Sequence, residues 1–265
     1  MPKILLQTFK FQRRSFIFWT IGIILLVALY ISVYPSIRDS SKALTDYLDK
    51  LPEAFKSIVG EASTYITPSG YINTEMFSMM LPLIILIYSI GFGSGAISGE
   101  EENGTLEIAL ANPIRRSRIL LEKFGALILS VGFLCIIIVL VILIGTKIAD
   151  MSIPIDKVAA ATFSLFLLGV NAGTIALFFG ALTGNRGVSI GITAAITVLS
   201  FFINILAPAV SGLDKIKEVS LFYHYMGHTP LLNGIYWPSA LLFIWVTIIL
   251  VSFSLVAFSR RDLNV

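Results

Sequence analysis

Residues 124–146 read FGALILSVGFLCIIIVLVILIGT, a run of 23 positions without a charged side chain. About 20 such residues in a helix cross the ~30 Å hydrocarbon core of a bilayer. Further apolar runs of this kind lie at about 16–34, 76–97, 158–182, 188–210 and 239–258. Because a helix satisfies its own backbone hydrogen bonds in lipid, the pattern predicts an all-α integral membrane protein with six transmembrane helices.

The composition supports this fold class. Hydrophobic residues make up 56% of the 265 positions and charged residues 13%, and the mean hydropathy is +0.89. Soluble domains carry roughly one charged residue in four. No repeat or low-complexity tract divides the chain, so we expect a single transmembrane domain over residues 1–265. Cys135 is the sole cysteine and forms no disulfide within the chain.

The distribution of Lys and Arg predicts the orientation. With the N-terminus inside, 11 of the 19 basic residues lie on the inner side of the membrane, as the positive-inside rule favours. We therefore expect a multi-pass protein of the cell membrane, in contact with membrane lipid, with both termini in the cytoplasm. The formal charge of +3 follows from this topology, and no basic patch interleaved with aromatic residues predicts nucleic-acid binding.

Residues 3–14 predict an N-terminal interfacial helix. Lys3, Lys10 and Arg14 share one helical face, while Leu5 and Phe9 lie elsewhere on the circumference. Such a helix lies along the inner leaflet before the first span. A basic flank of the first span is the alternative.

The segment 36–74 between the first two spans predicts external amphipathic structure. We expect two amphipathic helices packed over the outer mouth of the bundle, the second beginning at Pro52 and ending at Gly60. A disordered loop is the alternative. The helical spacing rests on the apolar residues Ile37, Leu44, Leu48, Leu51, Phe55 and Ile58.

Residues 220–232, SLFYHYMGHTPLL, are too polar to span and too apolar to lie free in water. They predict a short helical hairpin that enters the outer leaflet, which is allowed where protein buries its backbone. His224 and His228 are four residues apart and are weak candidates for metal ligands. No Cys or nearby carboxylate completes a metal site, so anchoring of the hairpin at the interface is the favoured interpretation.

Residues 99–123, GEEENGTLEIALANPIRRSRILLEK, form the most polar stretch between two spans. Thr105 would cap a short helix with an apolar stripe, and Pro113 would end it. Acids before this helix and Arg115, Arg116 and Arg118 after it favour docking into a groove on a partner protein. A solvated loop with a basic membrane flank stays open as the alternative.

This loop, placed between the second and third of six spans, resembles that of ABC-2 type transporter permease subunits. The tail Phe258–Leu263 and the aromatic run Leu221–Tyr225 resemble the same family. The resemblance implies a coupling region that sits in a cleft of an ATP-binding cassette subunit, with residues 3–14 as a connecting helix and 220–235 as an external re-entrant hairpin. The implied coupling residues are Glu100, Glu101, Glu102, Gly104, Thr105, Leu106, Glu107, Leu110 and Pro113.

The resemblance implies the permease of an ATP-driven exporter that works beside a second copy of itself or a related permease. The sequence has no G-x-x-x-x-G-K-[ST] motif and no paired nucleophile and base, so the chain itself is not expected to be an enzyme. ATP and Mg would bind to the partner subunit, and this chain would carry no cofactor.

The absence of charge from the middle of the spans favours an amphipathic or hydrophobic substrate, such as a peptide toxin, an antimicrobial peptide or a drug. Ions, copper-related cargo and polysaccharide stay open as substrates. An ion-coupled secondary carrier and a membrane scaffold without transport are the competing classes.

Small and polar residues within the spans predict how helices meet. Asn171 and Asn204 either line a substrate path or bond a neighbouring helix. Glycines four residues apart would let helix backbones approach closely, and these are Gly91, Gly95 and Gly99, then Gly169 and Gly173, then Gly187 and Gly191.

Overall fold

The computed structural model of the chain describes residues 3–39, 65, 67–106, 114–207 and 216–261. Two short helices, α6 (Leu221–Met226) and α7 (Pro230–Asn233), form a hairpin before the last long helix. Six helices in the described part are long and apolar enough to cross a membrane, in agreement with the predicted number. They are α1 (Lys3–Asp39), α2 (Pro68–Glu102), α3 (Arg116–Ile148), α4 (Ile155–Thr183), α5 (Arg186–Leu206) and α8 (Trp237–Arg260).

Helix α1 runs without a break through 37 residues, which is about 55 Å at about 1.5 Å per residue. The prediction of a separate interfacial helix over 3–14 is therefore wrong, because these residues are the first turns of the same helix. The start of α1 is held by Glu122 of α3, whose Oε2 accepts from the backbone N–H groups of Ile4 (3.0 Å) and Leu5 (3.3 Å). These N–H groups have no partner within their own helix.

Helix α2 begins at Pro68, before the predicted start of the second span at 76. Thr67 caps it, since its side chain accepts from the N–H of Gly70 (3.1 Å). Within α2, Asn73–Met80 and Gly95–Gly99 are π-helical. The ends of the predicted external segment 36–74 thus belong to α1 and α2, and its predicted helices around Pro52 lie outside the described residues.

Helix α4 is the central helix of the bundle. Its apolar stretch is 78% buried, against 17% for α1 and 22% for α5 and α8. It packs against α2, α3, α5 and α8. The outer helices expose large apolar side chains, as lipid-facing helices do. Helix α5 also has a buried stripe of hydroxyl side chains, which are Ser189, Thr193, Thr197 and Ser200.

Glycines bring α2 and α4 into close contact. A Cβ atom on Gly173 would lie 2.8 Å from the Leu127 methyls and 3.0 Å from the Ser89 carbonyl oxygen, and one on Gly93 would overlap the Gly173 backbone. Close packing at Gly169 and Gly173 is therefore confirmed. The prediction is wrong for Gly91 and Gly191, which meet nothing within 4 Å, and for Gly187, which meets only Asn185 of its own turn.

Two short helices, α6 and α7, lie where the sequence predicts a helical hairpin, and the external position of this hairpin and its entry into the membrane stay predictions. Tyr225 donates from its hydroxyl to the Phe77 carbonyl of α2 (2.8 Å). Ser220 caps α6 by accepting from the Tyr223 N–H (3.2 Å), and its hydroxyl donates to the Ser200 carbonyl of α5 (2.7 Å). The hairpin therefore closes one end of the bundle, which we call the hairpin end.

Candidate coupling site

Three consecutive glutamates, Glu100–Glu102, form the last turn of α2. We call this end of the bundle the glutamate end. The helix stops at Asn103 and Gly104, which has a left-handed φ of 66°, a conformation that glycine adopts at little cost. The Thr105 hydroxyl donates back to the Glu100 carbonyl (3.1 Å). The predicted coupling residues Glu107, Leu110 and Pro113 lie outside the described residues.

Glu100 is paired with Lys123 of α3. The Lys123 side chain is only 2% exposed, and its ammonium group donates to the Glu100 carboxylate. A buried ammonium group without such a partner would be costly. The pair therefore joins the end of α2 to the second turn of α3.

Glu101 is paired with Arg261, which directly follows α8. The Arg261 guanidinium donates to the Glu101 carboxylate through Nη2, and through Nη1 to the carbonyls of Gly180 (3.2 Å) and Ala181 (3.0 Å). These carbonyls belong to the last turn of α4, and that of Gly180 also accepts from the N–H of Gly184 (3.0 Å). One arginine therefore holds the ends of α2, α4 and α8 together.

Glu102 binds the start of α5. Its Oε1 accepts from the backbone N–H of Arg186 (2.7 Å), a position where the helix dipole favours a negative charge. The Arg186 side chain lies over Gly95 and Gly99, since a Cβ atom on Gly99 would be 3.3 Å from the Arg186 Cδ. These two predicted packing glycines thus make room for a side chain, and no other helix backbone is among their nearest atoms.

The basic residues that follow the loop divide into bonded and exposed groups. Arg116 donates through Nη1 to the carbonyls of Arg261 (2.8 Å) and Phe258 (3.4 Å), which ties α3 to the end of α8. Arg118 is mostly exposed and pairs with Glu122 (2.9 Å). Arg115 is exposed. The cluster is therefore partly structural and not only a topology signal.

Leu106 does not lie on a free docking surface. It is only 2% exposed and packs within the chain's own apolar cluster, which includes Ile97, Ile119 and Phe258. The prediction that Leu106 faces a partner protein is therefore wrong. Burying this side chain against α2, α3 and α8 anchors the loop at its first residues.

Sequence reasoning counted Lys123, Arg186 and Arg261 among the inner basic residues and assigned no bonding partner to them, and it did not consider Glu122. Each lies within one or two helical turns of a helix end, where charge is common for reasons of orientation. A signal was available, because three acids end α2 and basic residues lie near the ends of the neighbouring helices. Which helix end each acid binds depends on helix packing and could not be deduced from spacing.

Asn171 is fully buried and joins α4 to α8. Its Nδ2 donates to the Phe243 carbonyl (3.4 Å) and the Thr247 hydroxyl (3.3 Å). This placement corresponds to the interhelical alternative and not to a side chain that lines a path. Asn204 is half-buried on α5.

The two histidines are engaged in hairpin contacts. His224 has Ser239 Oγ at 3.1 Å from Nδ1 and the Glu218 carbonyl at 2.7 Å from Nε2. His228 stacks on Tyr236 with ring centroids 3.6 Å apart. Among the residues that the structure describes, no group of three or more His, Cys, Asp or Glu residues could hold a metal ion. The anchoring interpretation therefore accounts for both side chains.

Comparison with known proteins identifies the family of the chain. The sequence matches the family described as ABC-2 family transporter protein over residues 3–263. No curated protein matches the chain. The family match extends over all six long helices, the hairpin and the glutamate end. The chain therefore belongs to the ABC-2 family of transporter proteins.

Proposed function

We propose that this chain is the membrane-spanning subunit of an ATP-driven exporter, in which the segment 100–113 receives motion from an ATP-binding cassette subunit. One observation carries the proposal. The three glutamates that lead into this segment bind α3, α5 and the α4–α8 pair through Lys123, Arg186 and Arg261. A displacement of the segment is thereby applied to several spans at once.

Family membership gives the division of labour. ABC-2 permeases lack the ATPase, carry no cofactor, and pair with an ATP-binding cassette subunit that binds and hydrolyses the nucleotide. This chain is such a permease and a multi-pass membrane protein. The ion-coupled carrier and the scaffold without transport are excluded as classes.

The mechanism follows from the bonds at the glutamate end. Closure of the ATPase subunits around ATP would push on the segment 100–113 and displace the last turn of α2. Charge-assisted hydrogen bonds are short and strong, so they transfer this displacement with little slack. The π-helical turn Gly95–Gly99 lies directly before the glutamates, and such wide turns are frequent at functional sites because they can adjust locally.

Orientation and assembly are part of the proposal. The glutamate end faces the cytoplasm of the cell membrane, so both termini lie there. This orientation is supported by the basic residues that cluster at the glutamate end, such as Arg115, Arg116 and Arg118. A second copy of this chain or a related permease would complete the pathway.

The proposed substrate class is amphipathic or hydrophobic, for example a peptide toxin, an antimicrobial peptide or a drug. The support is the absence of Asp, Glu, Lys and Arg from the middle of the six apolar runs. Ions, copper-related cargo and polysaccharide are the alternative substrates.

The test is purification of the permease with its ATPase subunit from native cells. Leu110→Asp should release the ATPase subunit and leave the thermal stability of the permease unchanged. Leu106→Asp is the matched comparison, because a charge placed in the chain's own apolar cluster should lower that stability. Full retention of the ATPase by the Leu110→Asp variant would contradict docking through the later part of this loop.

A further inference from the structure

A cluster of tyrosines surrounds the start of α2 at the hairpin end. Tyr71 lies at its centre, with the Tyr34 ring 5.4 Å and the Tyr65 ring 5.9 Å away between centroids. The Tyr71 hydroxyl donates to the Tyr30 carbonyl of α1 (2.9 Å). The cluster therefore gathers aromatic side chains from α1, from α2 and from the segment that leads into α2.

Glu75 brings a carboxylate to these rings. The Tyr65 hydroxyl donates to Glu75 Oε1 (2.6 Å). A carboxylate can accept about four hydrogen bonds, so this bond leaves most of its capacity unused. Among the residues that the structure describes, no Lys, Arg or His nitrogen lies within 4.0 Å of this carboxylate.

The cluster has a buried back and a reachable front. Tyr34 is 3% and Tyr71 is 1% exposed, so these rings form the back. Tyr30, Tyr65 and Glu75 are each half-buried. A ligand can therefore reach the Glu75 carboxylate and the Tyr65 ring without displacing the core.

Tyr65 is held as a neutral donor. Burial raises the pKa of its hydroxyl, and the hydrogen bond to Glu75 and the negative charge of Glu75 raise that pKa further. The negative charge of the cluster thus resides on Glu75. Glu75 itself lies in the π-helical stretch Asn73–Met80, and turns of this kind are found frequently at functional sites.

We propose that Tyr65 and Glu75, backed by the rings of Tyr34 and Tyr71, bind an organic ammonium group. Aromatic faces attract ammonium cations, and a carboxylate at their edge supplies the compensating charge. A calcium ion would need about six to eight oxygen ligands, and the cluster offers a single carboxylate. The partly desolvated rings favour a weakly hydrated organic cation over a strongly hydrated metal ion.

The ammonium group can come from a free organic cation or from a lipid headgroup. Both present the same chemistry to the rings and the carboxylate. The site does not depend on the proposed coupling mechanism, because binding requires neither ATP nor the ATPase subunit.

Binding can be measured on the full-length protein in nanodiscs of phosphatidylglycerol, which carries no amine. Saturation-transfer NMR would follow the methyl protons of tetramethylammonium, with tert-butanol as the uncharged probe of similar shape. We expect saturable binding of tetramethylammonium and none of tert-butanol. Glu75→Gln should weaken binding at least about tenfold, which corresponds to ~1.4 kcal/mol, while the amide oxygen can still accept the Tyr65 hydroxyl.

Matched variants separate binding from anchoring. Tyr65→Phe keeps the ring face and should retain more affinity than Tyr65→Leu. Glu218→Gln removes a similar charge from an exposed glutamate before the hairpin and should leave binding unchanged. Equal binding by wild type and Glu75→Gln, or the absence of saturable binding to wild type, would overturn the proposal.

Nanodiscs of phosphatidylcholine identify the source of the ammonium group. A weaker apparent affinity for tetramethylammonium in these nanodiscs supports occupancy by a lipid headgroup. An unchanged affinity that still requires Glu75 supports a site for a free organic cation.

Discussion

The glutamate end and the hairpin end are built from different interactions. The ion pairs between described residues lie at the glutamate end, where Lys123 and Arg261 bind Glu100 and Glu101. The hairpin is fixed mainly by neutral groups, such as the Tyr225 hydroxyl on the Phe77 carbonyl. Apolar packing around α4 connects the two ends.

The difference concerns how each end responds to force. The two groups of an ion pair still attract each other when a helix end shifts, since Coulomb attraction extends beyond hydrogen-bond distance. Neutral contacts of the hairpin lose their energy once the atoms separate. The glutamate end is therefore suited to receiving a displacement, and the hairpin end to closing the bundle.

The largest expected effect concerns the buried ion pair at the glutamate end. It tests whether burial of the charge determines how much the pair contributes to stability. Glu100→Ala leaves the buried Lys123 ammonium without a partner, so we expect the free energy of unfolding to fall by ~3–5 kcal/mol. Denaturant titration of the purified protein in mixed micelles would measure it. Adding Lys123→Met should recover most of the loss, and failure to do so would show that Glu100 acts through other contacts.

A second prediction concerns the packing that connects the ends. Gly93→Ala places a Cβ atom on the Gly173 backbone, and overpacking of this kind costs ~1–3 kcal/mol. Gly91→Ala is the control, because its Cβ atom meets nothing within 4 Å. The same denaturant titration compares them, and equal stability of the two variants would refute the close contact of α2 with α4.

A smaller effect is expected at the hairpin. Tyr225→Phe removes one buried hydroxyl donor, so we expect a loss of ~1–2 kcal/mol in the free energy of unfolding. Tyr223→Phe is the matched control, because its ring lies on the same short helix and is only half-buried. A loss as large as that of Glu100→Ala would remove the distinction between the two ends.

The smallest effect belongs to an exposed pair at the glutamate end. Arg118 pairs with Glu122 four residues on, and its side chain is 59% exposed. Arg118→Ala should change the free energy of unfolding by less than ~0.5 kcal/mol. A loss above about 1 kcal/mol would show that the number of ion pairs, and not their burial, determines the stability of this end.

The six spans could be predicted because about 20 consecutive apolar residues have few other stable environments. Residues 3–14 were wrongly separated from the first span, with which they form one continuous helix. The change from basic to apolar residues indicates the membrane boundary and not the end of a helix. The bond from Glu122 to the start of α1 arises only once α1 and α3 are neighbours.

The sequence singled out the acidic run Glu100–Glu102, and the role of this run in coupling stays a proposal. Its contacts could not be predicted, because its partners come from three distant parts of the chain. Leu106 illustrates the limit further. An apolar side chain in a loop helix can be buried against its own bundle or against a partner, and both have the same sequence pattern.

The central claim is that the glutamates pass motion from the segment 100–113 to the spans. Pulsed EPR distances between spin labels at Ile148→Cys and Val219→Cys, two exposed positions towards the hairpin end, would test it in the reconstituted complex with its ATPase subunit. ATP should shift the distance distribution in the otherwise wild-type protein. In Glu101→Gln/Glu102→Gln the ATPase subunit should stay bound and the shift should disappear, whereas an undiminished shift would contradict the claim.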